Sequence, residues 1–345
     1  MNKNLLSVVN SSGRQAGIFK LGIVLLFLGL CIWVQGQSIM DRLQPVTEKS
    51  GFRMEGYWVW GGSPIKVGAE YHLFASRWPR KSVFPDDYFT DSEIVRATSN
   101  NPMGPYTFRE VVIGERDSMF WDSNMAHNPT IHRINGEYVL FYIGSDFTTL
   151  RPGSKRLLRQ VGYATSKSID GPWKRSDKPL ISGESNNPAI CVGPEKKIRL
   201  MYRDENLVVK IAESPEYSGP YVLRNGNVWP AARLEDFYLF KSKGMYHLIC
   251  EDNQGALTGH ERWGTHLISA DGISGWQPAD PVVAYSHTIL NQSGDTLHCV
   301  RRERPQLLIQ HHKITHLFTG FYDGQNSWCQ PQELKPPLKH IKVGQ

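Results

Sequence analysis

From Gly56 onward, apolar residues alternate or cluster in runs of four to six, bounded by Gly, Pro, Asn and Asp, and helical periodicity is scarce. This pattern predicts short β-strands joined by tight turns. The runs follow a phrase that returns about every 50 to 70 residues. It opens on a small or polar residue before proline: Ser63-Pro64, Asn128-Pro129, Asn187-Pro188 and Arg304-Pro305, with Leu234-Glu235-Asp236-Phe237 as a proline-free member. A strand-like run follows, as in Tyr138–Tyr142 and Ile198–Tyr202, then a second ending in small residues, as in Val161–Ser166. Gly-Pro-Tyr, Gly-Pro-Trp or Gly-Trp closes the phrase. Repeats of this length built from strands and Gly/Pro turns predict an all-β chain folded as a β-propeller, and five openings predict five blades. The fifth blade lacks clear third and fourth strands, so Gly56–Trp60 is expected to supply one and close the ring. Inserts at Arg77–Ser92, Ser145–Gln160 and Asn253–Trp263 fall between second and third strands, and loops that long on a compact scaffold point to function.

The first 36 residues stand apart. Lys3, Arg14 and Lys20 precede an apolar run from Leu21 to Val34, followed by Gln35-Gly36-Gln37. A basic segment, a short apolar core and a small residue before the cut describe a signal peptide. The run falls short of the roughly 20 residues of a membrane span, and Leu30 before Cys31 does not fit a lipobox. The expected organisation is a signal peptide over 1–36, an arm over 37–55 and one propeller over 56–345, exported to the periplasm or beyond the cell. No stable membrane span remains after cleavage.

Losing Lys3, Arg14 and Lys20 lowers the formal net charge from +6 to +3. No basic block with interleaved aromatics appears, so nucleic acid is not an expected partner. Cys191, Cys250, Cys299 and Cys329 remain; none has zinc-site spacing, and buried free thiols are expected for most of them, although export permits disulfides.

In a propeller the innermost strand of each blade lines the channel, so residues at the openings meet although distant in sequence. This brings together Gly62-Ser63, Asp122 with His127-Asn128, Asn186-Asn187, Glu235-Asp236 and Glu303-Arg304, with Arg203 and Asp252 where second strands end. Glycosidic cleavage needs two carboxyls in opposed environments, one protonated and one ionised. Glu235, Asp236, Glu303 and Asp122 are the candidate acids, and His127 can orient the sugar or tune a pKa. Glu303 lies between Arg302 and Arg304, which would lower its pKa and suit a base or nucleophile. Arg203 and Arg304 match planar oxyanions. Asn128, Asn187, Asp252 and His260 are candidate hydroxyl binders, and Trp60, Trp78 and Trp121 candidate stacking platforms.

With these motifs the chain resembles the five-bladed propeller glycosidases of families 43, 62, 32, 68, 117 and 130, over roughly Gly56 to Trp328. The resemblance rests on the repeated opening and strand phrase, on Trp121-Asp122 through Thr130, on Glu235-Asp236 and on Glu303-Arg304-Pro305-Gln306. It implies a carbohydrate substrate, and a Ca²⁺ in the channel would fit it, though no spacing here demands a metal. The family-43 base aspartate is absent, since the first opening reads Gly62-Ser63-Pro64. The second opening carries His127-Asn128 in place of an aspartate, in the manner of family 117. The leading expectation is a secreted, exo-acting hydrolase of plant or algal polysaccharide fragments. A non-catalytic glycan-binding propeller and a glycoside phosphorylase are the alternatives.

Overall fold

The computed structural model describes residues 38–81 and 83–337; the leader expected over 1–36 lies outside them. A short helix, α1 (Ile39–Arg42), opens the described chain, with Ser38 and Asp41 forming a reciprocal capping box. Blade I follows as β1 (Tyr57–Val67), β2 (Glu70–Pro79), the one-turn helix α2 (Tyr88–Asp91), β3 (Glu93–Ser99) and β4 (Thr107–Ile113). Blade II is β5 (Met125–Ile134), β6 (Glu137–Ser145), β7 (Gln160–Ser166) and β8 (Lys174–Arg175). Blade III is β9 (Asn186–Val192), β10 (Ile198–Arg203), β11 (Val209–Ser214) and β12 (Val222–Asn225). Blade IV is β13 (Leu234–Ser242), β14 (Met245–Asp252), β15 (Trp263–Ser269) and β16 (Gln277–Tyr285). A hairpin, β17 (Thr288–Leu290) and β18 (Thr296–His298), leads to blade V: β19 (Arg301–Gln310), β20 (Lys313–Tyr322) and β21 (Ser327–Glu333). Each blade is an antiparallel meander in chain order, so the predicted five-bladed propeller is the architecture found.

The apolar runs are buried between blades. Phe74 and Leu140 pack blades I and II together, and Leu200 with Phe141 does the same for II and III. Leu239 with Met201, Leu317 with Ile249, and Leu73 with Phe318 fill the other three interfaces. Both faces of a blade are therefore covered, which is why the strands read as continuous apolar runs.

Ring closure differs from the expectation. Gly56–Trp60 does not complete blade V, because Tyr57–Trp60 pair with Ser76–Pro79 inside blade I. The preceding arm performs the closure. Phe52 exchanges both backbone bonds with Cys329 of β21, at 3.0 and 3.1 Å, and Gln44 N–H donates to Glu333 O at 2.9 Å. Cys191, Cys250 and Cys329 are buried free thiols and Cys299 is half-buried, and burial pushes the Cys329 thiol up to about 12.

The openings are bulges in the inner strands. Asn128, Asn187, Asp236 and Arg304 all take left-handed φ between 53° and 58°, and register slips at or opposite each of them. A bulge leaves one residue unpaired and re-aims its side chain, and the proline that often follows has no N–H to waste. In blade I the equivalent residue is Gly61 (φ 61°), two positions before the Ser63 chosen by its proline; Pro64 sits within the ladder opposite Leu73. A Cβ on Gly61 would lie 2.8 Å from Arg304 Cγ, so the missing side chain makes room for the arginine of blade V.

Candidate active site

A cavity of about 200 Å³ sits where the five bulges meet, lined by Trp60, Trp78, Phe84, Tyr88, Phe89, His127, Asn128, Asn187, Glu235, Asp236, Arg301 and Glu303, among others. The blades supply its polar floor, and the β2–β3 insert supplies aromatic wall. Phe84 packs against Trp78 and Trp60 at centroid distances of 5.7 and 4.9 Å. Tyr88 stacks on His127 at 4.6 Å, and its hydroxyl accepts from Arg159 Nη1 at 3.2 Å. Arg159 is in turn clamped by buried Glu184, with Nη2 to Oε1 at 2.8 Å.

Asp236 is the central acid. Its Oδ1 accepts from Asn187 Nδ2 at 2.6 Å, and Arg304 Nη1 lies 3.8 Å away. Burial, with Glu235 and Glu303 nearby, pushes its carboxyl up to about 7 against the pull of Arg304 and Arg203. Glu303 Oε1 accepts from Arg301 Nε at 2.6 Å and Arg262 Nη1 at 3.0 Å. Its carboxyl is also pushed up, because burial outweighs those two guanidiniums. This overturns the expectation of a lowered Glu303. The neighbours credited with lowering it face elsewhere: Arg302 bonds Ser286 O and Gln332 Oε1, and Arg304 crosses the channel to Asn128 O and Pro188 O at 2.9 and 3.4 Å. Adjacent strand residues alternate faces, whereas Arg301, two positions away, shares the face of Glu303.

Glu235 reaches the cavity with its carboxylate held by Arg203 and by Asn253 Nδ2 at 3.2 Å. Behind it Glu251, fully buried, accepts from Asn253 Nδ2 at 3.0 Å and Arg262 Nη1 at 3.1 Å. His127 is a neutral imidazole, pushed down to about 3 by burial and by Arg304 and Arg159. Ser92 Oγ gives its proton to Ala126 O, so it accepts from His127 Nδ1 at 2.8 Å, which leaves Nε2 as an acceptor.

Four sequence candidates lie away from this cavity. Asp122 is sequestered in blade II, where it takes Arg175 Nη2 at 2.6 Å, the Tyr142 hydroxyl at 2.6 Å and the Arg116 guanidinium. Trp121 stacks on Tyr142 and donates Nε1 to Ser176 O at 3.1 Å. Asp252 caps its own loop through Ala256, Leu257 and Thr258 N–H at 2.8–3.1 Å. His260 lies exposed on Trp263. Arg203, held by Glu235, and Arg304, fully buried, stand behind the floor and form no part of the cavity lining, so neither presents an oxyanion clamp to it. The sequence reading missed Phe84, Tyr88, Phe89, Arg262 and Arg301. Insert length flagged the first three and also the loop that carries Arg262; nothing local singles out Arg301.

No protein-family profile matches the chain, and no curated protein sequence does. Solved structures do. A family 117 glycoside hydrolase, Zg3597 of the marine bacterium Zobellia galactanivorans, superposes with a TM-score of 0.61 at 15% identity, over 86% of this chain and 91% of that one. The fold is that of the five-bladed glycoside hydrolases. The catalytic domain of the Coprinopsis cinerea GH62 alpha-L-arabinofuranosidase gives 0.59 at 12% identity, over 87% and 99%. A Bacillus subtilis arabinanase gives 0.53 at 16%, over 79% and 92%. Within this shared propeller the chain is divergent in sequence, with glycine at the blade I bulge, Asp236 at that of blade IV and Glu303 beside the blade V bulge residue Arg304.

Proposed function

We propose that the protein is a secreted, exo-acting glycoside hydrolase that removes single sugars from plant or algal polysaccharide fragments. The observation that carries this is the Asp236–Glu303 pair on the floor of a small aromatic cavity. The cavity is below the roughly 300–1,000 Å³ of common ligand pockets, which suits one terminal sugar better than an internal stretch of chain. Structural relatives that act on arabinan or carry alpha-L-arabinofuranosidase activity support a glycan substrate. Export rests on the leader over 1–36. Among the described residues no helix is long and apolar enough to cross a membrane.

Asp236 is the general acid, because its carboxyl, at about 7, still holds a proton near neutral pH. Glu303 takes the ionised role because Asp236 holds the proton of the pair, and the two guanidiniums on its Oε1 oppose the burial that pushes its carboxyl up. Carboxyl oxygens of the two residues lie within 4.8 Å of each other. That bounds only the nearest oxygens; we assign the retaining geometry, whose carboxyl groups stand about 5–5.5 Å apart against about 6.5–9.5 Å in an inverting pair. Asp236 gives its proton to the glycosidic oxygen as the C–O bond breaks, and Glu303 bonds to the anomeric carbon. Asp236 then takes a proton from the water that releases the sugar.

Asp236, Glu251 and Glu303 bring three carboxylates together, but they do not fit the Ca²⁺ site the resemblance suggests. Arg262 Nη1 already spans Glu251 and Glu303 at 3.1 and 3.0 Å, and Ca²⁺ takes six to eight oxygens.

Asp236→Asn and Glu303→Gln, tested on a panel of plant and algal oligosaccharides, are each expected to lower kcat about 10²- to 10⁴-fold, with the anomeric configuration of the released sugar retained. Undiminished cleavage by both variants would sink the assignment. Gly61, which leaves blade I without an acid, favours the second reading, a glycan-binding propeller: tight binding of a fragment by calorimetry with no cleavage by wild type would establish it. The phosphorylase reading needs arginines presented to phosphate, and Arg203 and Arg304 both lie behind the cavity floor. Turnover that requires phosphate would restore it.

A further inference from the structure

We propose that the terminal sugar is anionic, its carboxylate or sulfate seated on the open edge of the Arg301 guanidinium. The inference rests on the reading of the cavity as the seat of one terminal sugar; it does not require that the sugar be cleaved. Arg301 opens β19 and is the one guanidinium among the described residues that line the cavity. It meets Glu303 through Nε alone, at 2.6 Å to Oε1, and the same oxygen already takes Arg262 Nη1 at 3.0 Å. Among the described residues Nη1 and Nη2 make no hydrogen bond. The side chain is 26% exposed, so that edge is open to the cavity. Phe84 covers the guanidinium, with Cζ 5.9 Å from its ring centroid, and is itself stacked at 4.3 Å on Tyr322, the ladder partner of Arg301. Held at Nε and beneath a ring, the fork is ordered before a ligand arrives, which lowers the cost of binding.

An arginine placed only to neutralise Glu303 would lay its fork across both carboxylate oxygens. Arg301 uses a single N–H and leaves free the edge that matches an oxyanion bidentately. The charge of the site favours an incoming anion as well. Arg203, Arg262, Arg301 and Arg304 surround the acids. Burial pushes Asp236 up to about 7 and Glu251 well up, so both hold protons in weakly acid solution. Four guanidiniums then face only Glu235 and Glu303 as carboxylates. Arg159 is balanced by Glu184, and His127 is neutral. An anion on the sugar offsets the surplus in a site where burial leaves little water to do so. Because Glu303 is the neighbour of Arg301, that anion belongs to the sugar whose anomeric carbon Glu303 faces, not to one farther along the chain.

The test is calorimetric binding, to the full chain, of uronate-ended and sulfated oligosaccharides, each beside its neutral counterpart made by carboxyl reduction or desulfation. The acidic member of at least one pair is expected to bind about 30-fold more tightly or better, the loss that follows when one side of a buried charge pair is removed. Which pair does so tells carboxylate from sulfate. Arg301→Gln is expected to bring the acidic-to-neutral ratio to about one, and any disturbance of Glu303 cancels in that ratio. Should Arg301→Gln not fold, Arg301→Lys keeps the charge but loses the fork, and is expected to lower the ratio about tenfold, the worth of one charged hydrogen bond. Equal affinity within every pair, a ratio that the folded variant leaves unchanged, or a wild type that binds no acidic fragment overturns the proposal. Inorganic phosphate is titrated alongside. Phosphate binding that needs Arg301, with no acidic preference among the sugars, overturns it in favour of the phosphorylase reading. Sugar release, followed in parallel, judges hydrolysis separately: an acidic fragment bound through Arg301 but never cleaved sinks the hydrolase reading and leaves the role of Arg301 standing.

Discussion

Asp236 and Asp122 are both buried aspartates, and what faces them separates their roles. Asp122 has both oxygens filled by Arg116, Arg175 and the Tyr142 hydroxyl. Asp236 has one amide bond from Asn187 and a guanidinium 3.8 Å away, and it opens on the cavity. A saturated carboxylate has no capacity left for a substrate, whereas an under-satisfied one at a cavity wall does. Asp122→Asn leaves two half-buried guanidiniums short of their buried partner, a loss of about 3–5 kcal/mol. A clear fall in Tm is expected by calorimetry, with the activity of the folded protein unchanged. A folded Asp122→Asn protein with activity lost would return Asp122 to the site. Sequence adjacency misled in the same way at Glu303. Its partners are Arg301 on the same strand face and Arg262 from another loop, not Arg302 and Arg304.

The inserts between second and third strands decide which side chains reach the floor. The β2–β3 insert is held by Trp78 Nε1 to Asp86 O and Asn124 Nδ2 to Phe89 O, both at 3.0 Å. It thus carries Phe84, Tyr88 and Phe89 over the bulges. The β14–β15 insert folds around Asp252, whose backbone O also accepts from Arg262 N–H at 2.8 Å. That capping sets where Arg262 leaves the loop toward Glu251 and Glu303. Asp252→Ala strips the acceptor from three backbone N–H groups, and each buried group so orphaned costs about 1–3 kcal/mol. Amide hydrogen exchange should quicken over residues 253–262 and stay unchanged in blades I–III. Exchange that quickens everywhere would show Asp252 to be a global support and not a loop cap.

For the whole molecule, the ring closes through the arm. Phe52 is buried between blades V and I against Leu308, Phe318 and Leu73, and its backbone pairs with Cys329. Phe52→Ala is expected to cost about 3–5 kcal/mol, seen as a lower midpoint in denaturant with a single transition. An unchanged midpoint would mean that the blades hold the ring without the arm. Arg304 links the ring on its axis as well, running from blade V past Gly61 to carbonyls of blades II and III.

The sequence by itself determined the blades. Strand periodicity, turn residues and the bulge signature of a left-handed residue before proline are local demands, and Asn128, Asn187 and Arg304 were legible from them. Asp236 was legible because it breaks the same phrase. What only the tertiary structure decided is who faces whom. In blade I proline pointed to Ser63, while the bulge fell on Gly61, where the Arg304 side chain leaves no room for a Cβ. The arm closes the ring, Asp122 and Asp252 are consumed as structural acceptors, and Glu251 joins Asp236 and Glu303 from a second strand. The physical reason is common to all of these. Backbone conformation follows from neighbours in the chain, whereas the field around a carboxyl is set by groups that only the closed ring brings within a few ångströms.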